Sequence, residues 1–288
     1  QRLVGVGPND AWCWNLRSKP IEILWRRVHS SPSPSVAFDA TGDRLVIPDS
    51  AGVATSILEA STGRQLFSLP GRVDTVRPAF ADGGNQLFVC PAEGGVATWD
   101  LRAAPPALAA VVPAEHRVFQ MAVSPDGRTV ATASRNEKAV FVWRQGEDMP
   151  VTWNADAPAA LLRFQSDGNL LEITNEQIRF RDSRTGRETR DAVPVDGLST
   201  LGGCCFSKDA STIFTAESMH VAAWDTRTGN PLGPEHQIHG TIEAVAASPS
   251  GRTVATFTKG QKIDYWDAET GKHLRRERIA IQRNTAGS

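Results

Sequence analysis

The alternation of apolar and polar residues from Ala244 to His273 predicts a unit of four short β-strands. The first strand, VAAS, has the alternating side-chain pattern of a short strand and ends at a Pro-Ser-Gly sequence, which suits a tight turn. TVATF then carries β-branched residues at alternate positions, and KIDYW and HLRRERI follow after breaks at Lys-Gly and Glu-Thr-Gly. The unit is therefore predicted to be four strands joined by tight turns.

The ending of the third strand in this unit, Trp266-Asp267, recurs along the chain at a nearly fixed interval. The equivalent pairs, which we call the ruler positions, are Trp14-Asn15, Ile57-Leu58, Trp99-Asp100, Trp143-Arg144, Arg181-Asp182, Trp224-Asp225 and Trp266-Asp267. Successive intervals run from 38 to 44 residues. This spacing is close to the ~40–45 residues of a four-stranded propeller blade.

Two turns recur in the same phase as the ruler positions. The turn between the first and second strands is seen in DATGDR at 39–44, ADGGNQ at 81–86, SPDGRT at 124–129, SDGN at 166–169, SKDAST at 207–212 and SPSGRT at 248–253. The turn between the third and fourth strands is seen in STGRQ at 61–65, RTGRE at 184–188, RTGNP at 227–231 and ETGKH at 269–273. Three signals with one phase predict a structural repeat.

On these residues the chain resembles the WD-repeat family of β-propellers over almost its whole length. The resemblance implies an all-β fold, a seven-bladed β-propeller of four-stranded antiparallel blades with the first blade incomplete at the N-terminus. It also implies a single domain over 1–288, since propellers of this length commonly form one body. The expected blades are approximately 1–28 (partial), 33–70, 73–112, 116–153, 157–195, 199–233 and 240–281.

The first blade is expected to be incomplete because RLVGVG at 2–7 occupies the place of a second strand. AWCWNL at 11–16 and IEILWRRV at 21–28 follow as the third and fourth strands. The tail after Ile281, QRNTAGS, is polar and short for an inner strand. We therefore expect the chain to be a piece of a longer polypeptide; the alternative is that RERIAIQ fills the missing place.

The chain departs from the family pattern in the residues that support each tryptophan. Many family members join the tryptophan, a Ser or Thr, a His and an Asp in one hydrogen-bonded cluster. No Asp lies six residues before any ruler position, where the cluster needs one. We therefore expect strand pairing and apolar packing to carry more of the stability here.

Composition excludes some classes of partner. The 31 basic and 32 acidic residues give a formal net charge of −1, so no overall field favours nucleic acid or an anionic membrane. No apolar run approaches the ~20 residues of a membrane span. The four cysteines lack metal or redox spacing and are interpreted as reduced packing residues, which favours a cytoplasmic location. The excess of Arg over Lys, with plentiful Ala, Pro and Gly, is typical of a GC-rich bacterial coding sequence.

A search for catalytic and ligand-binding motifs gives no site. No GxSxG elbow is present, and the HxxH pair His236 and His239 does not share a face on a strand or loop. The glycine pairs Gly83-Gly84 and Gly94-Gly95 lack the ending of a phosphate loop and fall where turns are expected. The prediction is a non-enzyme with no cofactor, no metal and no small-molecule ligand.

The tryptophans divide into a structural set and a candidate contact set. Those at the ruler positions, Trp14, Trp99, Trp143, Trp224 and Trp266, are predicted to pack between blades. Trp12, Trp25 and Trp153 lie elsewhere, although Trp25 and Trp153 would also suit the capping of blade edges. In the family, partners dock on the loops that enter the first strands. The candidate partner-contact residues are therefore Arg77, Arg117, Phe119, Glu243, Trp12 and Trp153. The alternative for the loop residues is that they are ordinary solvent-exposed side chains at the rim of the propeller.

Two functions of different classes remain open. The first is a non-catalytic protein-interaction scaffold, a regulatory or sensing propeller from a larger bacterial signalling protein, whose partners are other proteins or domains of its own parent chain. The second is a propeller enzyme or cofactor binder, either quinoprotein-like or hydrolase-like. The Thr-Gly turns also resemble the quinoprotein repeat, but the Trp-Asp phase matches the scaffold type better.

Overall fold

The structure is a computed structural model. It describes residues 2–6, 10–15, 22–28, 36–48, 54–70, 78–91, 94–112, 117–134, 136–155, 157, 159, 161–174, 176–194, 204–207, 210–217, 219–233, 235–237, 241–248, 252–258, 262–270 and 272–278. All the regular structure in these ranges is β-strand, apart from one short 3-10 turn, Asp82–Gly84. The all-β prediction is confirmed.

The described residues fall into two compact units. The first unit covers Gln1–Phe164 together with Asp182–Arg187, and the second covers Gln165–Arg181 together with Glu188–Ser288. The division passes through the fifth sheet, so its first strand is assigned to the first unit and its other three strands to the second.

The first unit contains the first four sheets and one further strand, each sheet following chain order. The strands are β1 (Arg2–Val6), β2 (Asp10–Asn15) and β3 (Glu22–Val28); β4 (Ala37–Phe38), β5 (Arg44–Pro48), β6 (Ala54–Glu59) and β7 (Gln65–Pro70); β8 (Ala79–Ala81), β9 (Gln86–Val89), β10 (Val96–Asp100) and β11 (Ala107–Val112); β12 (Val118–Val123), β13 (Thr129–Ser134), β14 (Ala139–Arg144) and β15 (Val151–Asn154); and β16 (Leu161–Phe164).

The second unit contains the rest of the fifth sheet and the sixth and seventh sheets. Its strands are β17 (Leu170–Ile173), β18 (Gln177–Arg181) and β19 (Glu188–Pro194); β20 (Cys204–Phe206), β21 (Thr212–Glu217), β22 (His220–Asp225) and β23 (His236–Gln237); and β24 (Ile242–Ala247), β25 (Thr253–Thr258), β26 (Lys262–Asp267) and β27 (His273–Arg278). Consecutive strands in each sheet pair antiparallel, as short turns require.

The blade count differs from the predicted seven. The described residues form six four-stranded sheets rather than seven, and the first sheet has three strands. The incomplete first sheet agrees with the prediction from the sequence. β1 pairs with β2 as the second strand β25 pairs with the third strand β26 of the seventh sheet, so β1 is a second strand. The innermost strand is thus the one that the first sheet lacks among the described residues. The tail at 279–288 lies outside the described residues.

The strand registers confirm that the ruler positions are structurally equivalent in six of the seven sheets. In the second sheet the prediction is wrong by one residue: Leu58, not Ile57, is the equivalent, because the Glu59 N–H that follows it donates to the Arg64 carbonyl as the Asp267 N–H donates to the Lys272 carbonyl. Trp14 faces Leu3, Leu58 faces Leu45, Trp99 faces Leu87, Trp143 faces Val130, Arg181 faces Leu170, Trp224 faces Ile213 and Trp266 faces Val254. Each lies opposite an apolar residue of the second strand. The period read from the sequence is therefore a real spatial repeat of the sheet.

A β-bulge recurs in the outer strand beside the ruler position. In the first sheet, Cys13 faces Trp25 and Trp14 faces Ile23, which leaves Leu24 as the extra residue. The same shift occurs just before Leu58, Trp99, Arg181 and Trp266. A bulge adds one residue and increases the local twist, so these five outer strands bend at the same place.

Apolar clusters hold neighbouring sheets together within each unit. In the first unit, Cys13 and Trp25 of the first sheet pack with Leu45 and Leu58 of the second, and comparable clusters join the next sheets. In the second unit, Phe214 of the sixth sheet lies in one cluster with Val254 and Trp266 of the seventh. Burial of such faces supplies the main favourable free energy of the fold.

Side chains of three outer strands pack on a glycine in the next sheet. A Cβ on Gly63 would lie 2.7 Å from Trp25, one on Gly186 would lie 2.8 Å from Trp153, and one on Gly229 would meet Val193. These glycines occupy the turn between third and fourth strands with φ near +70°, a conformation that glycine adopts without strain. The recurring Thr-Gly turn is thus explained by backbone conformation and by close approach together.

Candidate functional site

The surface that the sequence predicts for partner contact is formed by the loops that lead into the first strand of each sheet. Two of its four predicted residues are described with their side chains: Arg117, which precedes β12, and Phe119 within it. The backbone of Glu243 lies in β24, but its side chain is outside the described residues, as is the whole of Arg77.

A β-bulge places Phe119 at this surface. Val118 faces Ser134 and Gln120 faces Ala133, so Phe119 is the extra residue between them. Glu243 is the extra residue at the matching place in the seventh sheet, between Ile242, which faces Thr258, and Ala244, which faces Phe257. Bulges redirect side chains and are frequent beside functional sites. The repeat therefore gives two of the candidate residues the same special backbone position.

Charged side chains lie at the same end of the fourth sheet as Phe119. Arg117 is exposed next to it in the chain, and the turn joining β13 to β14 carries exposed Glu137 and Lys138. Lys138 has a positive φ of 50°, and its carbonyl accepts a hydrogen bond from the Ala155 N–H. Phe119 itself is 36% exposed. A partly exposed aromatic side chain at a sheet end that also carries charges of both signs is suited to a protein contact.

The two tryptophans of the candidate set, Trp12 and Trp153, are both half-buried. Trp12 stacks on Trp14 with ring centroids 6.4 Å apart, and the Arg26 guanidinium lies 4.6 Å from the Trp12 ring. Trp153 contacts the turn at Gly186 described above. Both rings have structural neighbours in the first unit, and their role in partner contact stays a prediction.

The five tryptophans at ruler positions contribute to packing to different degrees. Trp14 and Trp266 are buried, whereas Trp99, Trp143 and Trp224 are half-buried. Trp224 Nε1 donates to Thr215 Oγ1 at 3.0 Å, and Trp266 Nε1 donates to Thr256 Oγ1 at 3.1 Å. The Trp-to-Thr part of the family's hydrogen-bonded cluster thus forms in the sixth and seventh sheets.

The fifth sheet replaces this Trp–Thr pair with an ion pair. Arg181 takes the ruler position, and Glu172 takes the place of Thr256 in the register. Arg181 Nε donates to Glu172 Oε2 at 2.7 Å, and the Glu172 side chain is fully buried. The sequence showed that Arg181 is a ruler residue but gave no signal for its carboxylate partner.

A second cluster, not anticipated from the sequence, lies on the seventh sheet. The carboxylate of Asp264 is fully buried, and its Oδ1 is 2.7 Å from both His273 Nε2 and Arg276 Nε. The His273 ring also meets Trp266 edge-on, with centroids 4.8 Å apart. Asp264 Oδ2 has no hydrogen-bond partner among the described residues. The cluster ties the outer strand to the third strand, because each of its three residues bonds across that pair.

The acidic residues that follow ruler positions fix the adjacent turn. Asp182 Oδ1 accepts hydrogen bonds from the N–H groups of Arg184 and Thr185, and the Arg184 bond foremost holds the pKa of Asp182 below its ordinary value. The Thr270 hydroxyl, which donates to Asp267, lowers the pKa of Asp267 in the same way. These carboxylates are satisfied within their own turns, so their chemistry is structural.

The described residues offer no arrangement suited to metal binding. No group of three or more His, Cys, Asp or Glu side chains in the described ranges could hold a metal ion. The structure gives His273 a carboxylate partner and, among the described residues, no hydroxyl or thiol to activate. Of the HxxH pair, His236 has only its backbone described and His239 lies outside the described residues. In the same ranges, no helix has the length and apolar character to cross a bilayer.

Comparison with known sequences gives distant relatives. Tricorn protease homolog 1 of Streptomyces coelicolor is 28% identical over 236 residues, which are 77% of this chain and 20% of the relative. Transducin beta-like protein 3 of Rattus norvegicus is 24% identical over 228 residues, 73% of this chain and 28% of the relative. Eukaryotic translation initiation factor 3 subunit I of Pyricularia oryzae is 31% identical over 70 residues, 24% of this chain and 20% of the relative. The chain thus matches less than a third of each relative's length. No protein-family model matches it.

Comparison with solved structures shows the fold. The C-terminal WD40 domain of Sif2 aligns with a TM-score of 0.67 at 12% identity, covering 95% of this chain and 81% of that one. Hydrazine synthase of Kuenenia stuttgartiensis aligns with a TM-score of 0.64 at 20% identity, covering 82% of this chain and 77% of that one. The fold is therefore a β-propeller of the WD40 type, and the resemblance inferred from the ruler positions is confirmed at this level.

Proposed function

We propose that this chain is a non-catalytic protein-interaction scaffold, a regulatory or sensing propeller within a larger bacterial signalling protein. The similarity to WD-repeat proteins and to a WD40 domain supports the scaffold role. The fractions of the relatives that it matches, 20% to 28%, support a place within a longer chain. We further propose that residues 1–288 act as one propeller body in the cytoplasm, with partners that are proteins or other domains of the parent chain.

The observation that carries this proposal is the bulged first strand of the fourth sheet. Phe119 is the extra residue of this bulge, and Arg117 lies two residues before it. Glu243 is the extra residue of the equivalent bulge in the seventh sheet. A rigid sheet presents such side chains at little entropic cost on binding, because the strand is already ordered. Aromatic and Arg side chains are also the residues that most often dominate protein interfaces.

The test compares two phenylalanines of equal exposure. Phe119 and Phe38 are each 36% exposed on a first strand, but Phe38 lies at the opposite end of its strand, beside the turn at 39–44. We expect Phe119→Ala to reduce the proteins captured by the full-length parent protein about tenfold or more, as for an interface hot spot. Phe38→Ala is the matched control and is expected to capture the same proteins as the parent.

The readout is quantitative mass spectrometry of cross-linked complexes, with thermal melts to show that both variants fold. Equal losses in Phe119→Ala and Phe38→Ala would place the contact elsewhere and refute the choice of surface. If the parent chain retains no protein above the background, the scaffold role itself is wrong.

The second candidate function is a propeller enzyme or cofactor binder, either quinoprotein-like or hydrolase-like. It is favoured by the similarity to Tricorn protease homolog 1 over 77% of this chain and by the fold shared with hydrazine synthase. A visible chromophore or stoichiometric calcium in the purified chain would support the quinoprotein-like form of this candidate.

A further inference from the structure

The outer strand of the third sheet, β11, differs from the other outer strands in its surface. Its sequence is ALAAVV, without a polar or charged side chain, and the first five of its six residues are exposed. Leu108 is 53% exposed and Val111 is 55% exposed. β11 ends the order of its sheet, so one side of its backbone pairs with β10 and the other forms the sheet edge.

Other outer strands carry features that oppose further pairing at their edges. β3 contains Arg26 and Arg27, and β27 contains three arginines and a histidine. β19 contains Glu188, Arg190 and Asp191, and β23 has only two residues. β7 is uncharged but ends at Pro70 with Leu69 buried, and β15 has four residues. Charges, proline and shortness are the usual means of protecting a sheet edge, and β11 has none of them.

The turn that would neighbour β11 by the repeat is also open, and it carries an exposed methionine beside the exposed Glu147 and Asp148. Elsewhere an outer-strand side chain packs on the turn glycine of the next sheet, as Trp25 does on Gly63. The fourth sheet has Gly146 in that turn with φ +87°, and a Cβ there would meet nothing within 4 Å. Met149, in the same turn, is 76% exposed. Leu108, Val111 and Met149 are thus three of the most exposed large apolar side chains described.

We propose that a second copy of this chain covers this edge, with β11 of each copy pairing antiparallel about a twofold axis. Such a pair is isologous, so the strand must suit its own reversed sequence. β11 meets this condition because only Ala, Leu and Val side chains face one another in any register. The same pairing of β27 would bring Arg275 or Arg276 against its own copy, and like charges opposite one another destabilise a sheet.

The size of this edge sets the expected strength of the dimer. A stable standard interface buries about 800 Å² on each partner, and a six-residue strand with one neighbouring methionine offers less. Main-chain hydrogen bonds add affinity in strand-to-strand association. We therefore expect a weak dimer in exchange with the monomer, which does not depend on the proposed scaffold function.

The first test is sedimentation equilibrium of the full chain over roughly 10 μM to 1 mM, a range that detects weak association. The mass should rise from 31.1 kDa towards twice that value. Val111→Lys should raise the dissociation constant about tenfold or more, because each copy then places an ammonium group against the apolar strand of the other. Leu274→Lys, at a 50% exposed leucine on β27, is the matched control and should dimerise as the parent does.

The second test locates the contact. Ala110→Cys should form a covalent dimer with a short bismaleimide, whereas Leu274→Cys and the parent chain should not. Thermal melts establish that each variant folds. A chain that stays monomeric throughout, a dimer that Val111→Lys leaves intact, or equal cross-linking at both cysteine positions would overturn the proposal.

Discussion

The exchange of a Trp–Thr pair for an ion pair in the fifth sheet allows a double substitution with a defined outcome. Arg181 and Glu172 lie where the seventh sheet has Trp266 and Thr256, with Nε and Oε2 2.7 Å apart and side-chain exposures of 9% and 0%. We consider Arg181→Trp and Glu172→Thr, made singly and together, so that the double variant copies the seventh sheet.

The magnitudes follow from burial. Removing one member of a buried ion pair costs about 3–5 kcal/mol, because the remaining charge is left uncompensated. Glu172→Thr should fall near the lower end, since Glu188 is 3.4 Å from Arg181 Nη2 and retains part of the attraction. Arg181→Trp should fall near the upper end, because the Glu172 carboxylate is fully buried.

The double variant should recover most of this loss. It restores a Trp-to-Thr hydrogen bond worth about 1 kcal/mol, and replacing a buried ion pair by a well-packed pair is often neutral or stabilising. We expect its free energy of unfolding within about 2 kcal/mol of the parent, with a coupling energy of at least about 3 kcal/mol between the two positions.

The assay is urea unfolding followed by far-UV circular dichroism, since the added indole would disturb tryptophan fluorescence. Glu188→Gln is the control, because it removes only a half-exposed carboxylate and should cost less than about 1 kcal/mol. If the double variant loses as much as the two single variants combined, then the two pairs are not structural equivalents and the reasoning fails.

Two further predictions concern the turns. In thermal melts, Gly186→Ala should destabilise the chain by about 1–3 kcal/mol more than Gly168→Ala. Both glycines have positive φ, but only a Cβ on Gly186 would enter a packed site, 2.8 Å from Trp153. Equal effects would show that backbone conformation alone determines the loss of stability. The hydrogen bond from the Thr270 hydroxyl lowers the pKa of Asp267 below its ordinary value of 3.8. The Asp267 carboxylate therefore stabilises the fold fully at pH values above 3.8, and this contribution is lost as the pH falls through the pKa that Asp267 has in the folded state. Below pH 5, the free energy of unfolding of Asp267→Asn should therefore fall less with decreasing pH than that of the parent. The same pH dependence in both proteins would contradict the turn-capping role.

The repeat itself could be predicted from the sequence because its signals are local. Alternation within four to six residues, turns at Pro and Gly, and the ruler positions from Trp14 to Trp266 are all set by the strand period and the turn conformation. The incomplete first sheet followed from the same phase, since RLVGV occupies a second-strand place. The count of six four-stranded blades beside a three-stranded first sheet needed the strand pairings.

Only the tertiary structure decided which side chains meet across strands and sheets. Glu172 lies nine residues from Arg181, and Asp264 joins His273 and Arg276 through a bulged register, so no fixed spacing announces either cluster. The exposure of β11 could not be read from its own sequence, and the next sheet's turn holds Gly146 in the open whereas Gly63 and Gly186 are packed in their turns. A strand's own sequence fixes its alternation, whereas its burial is fixed by the neighbour against which it lies.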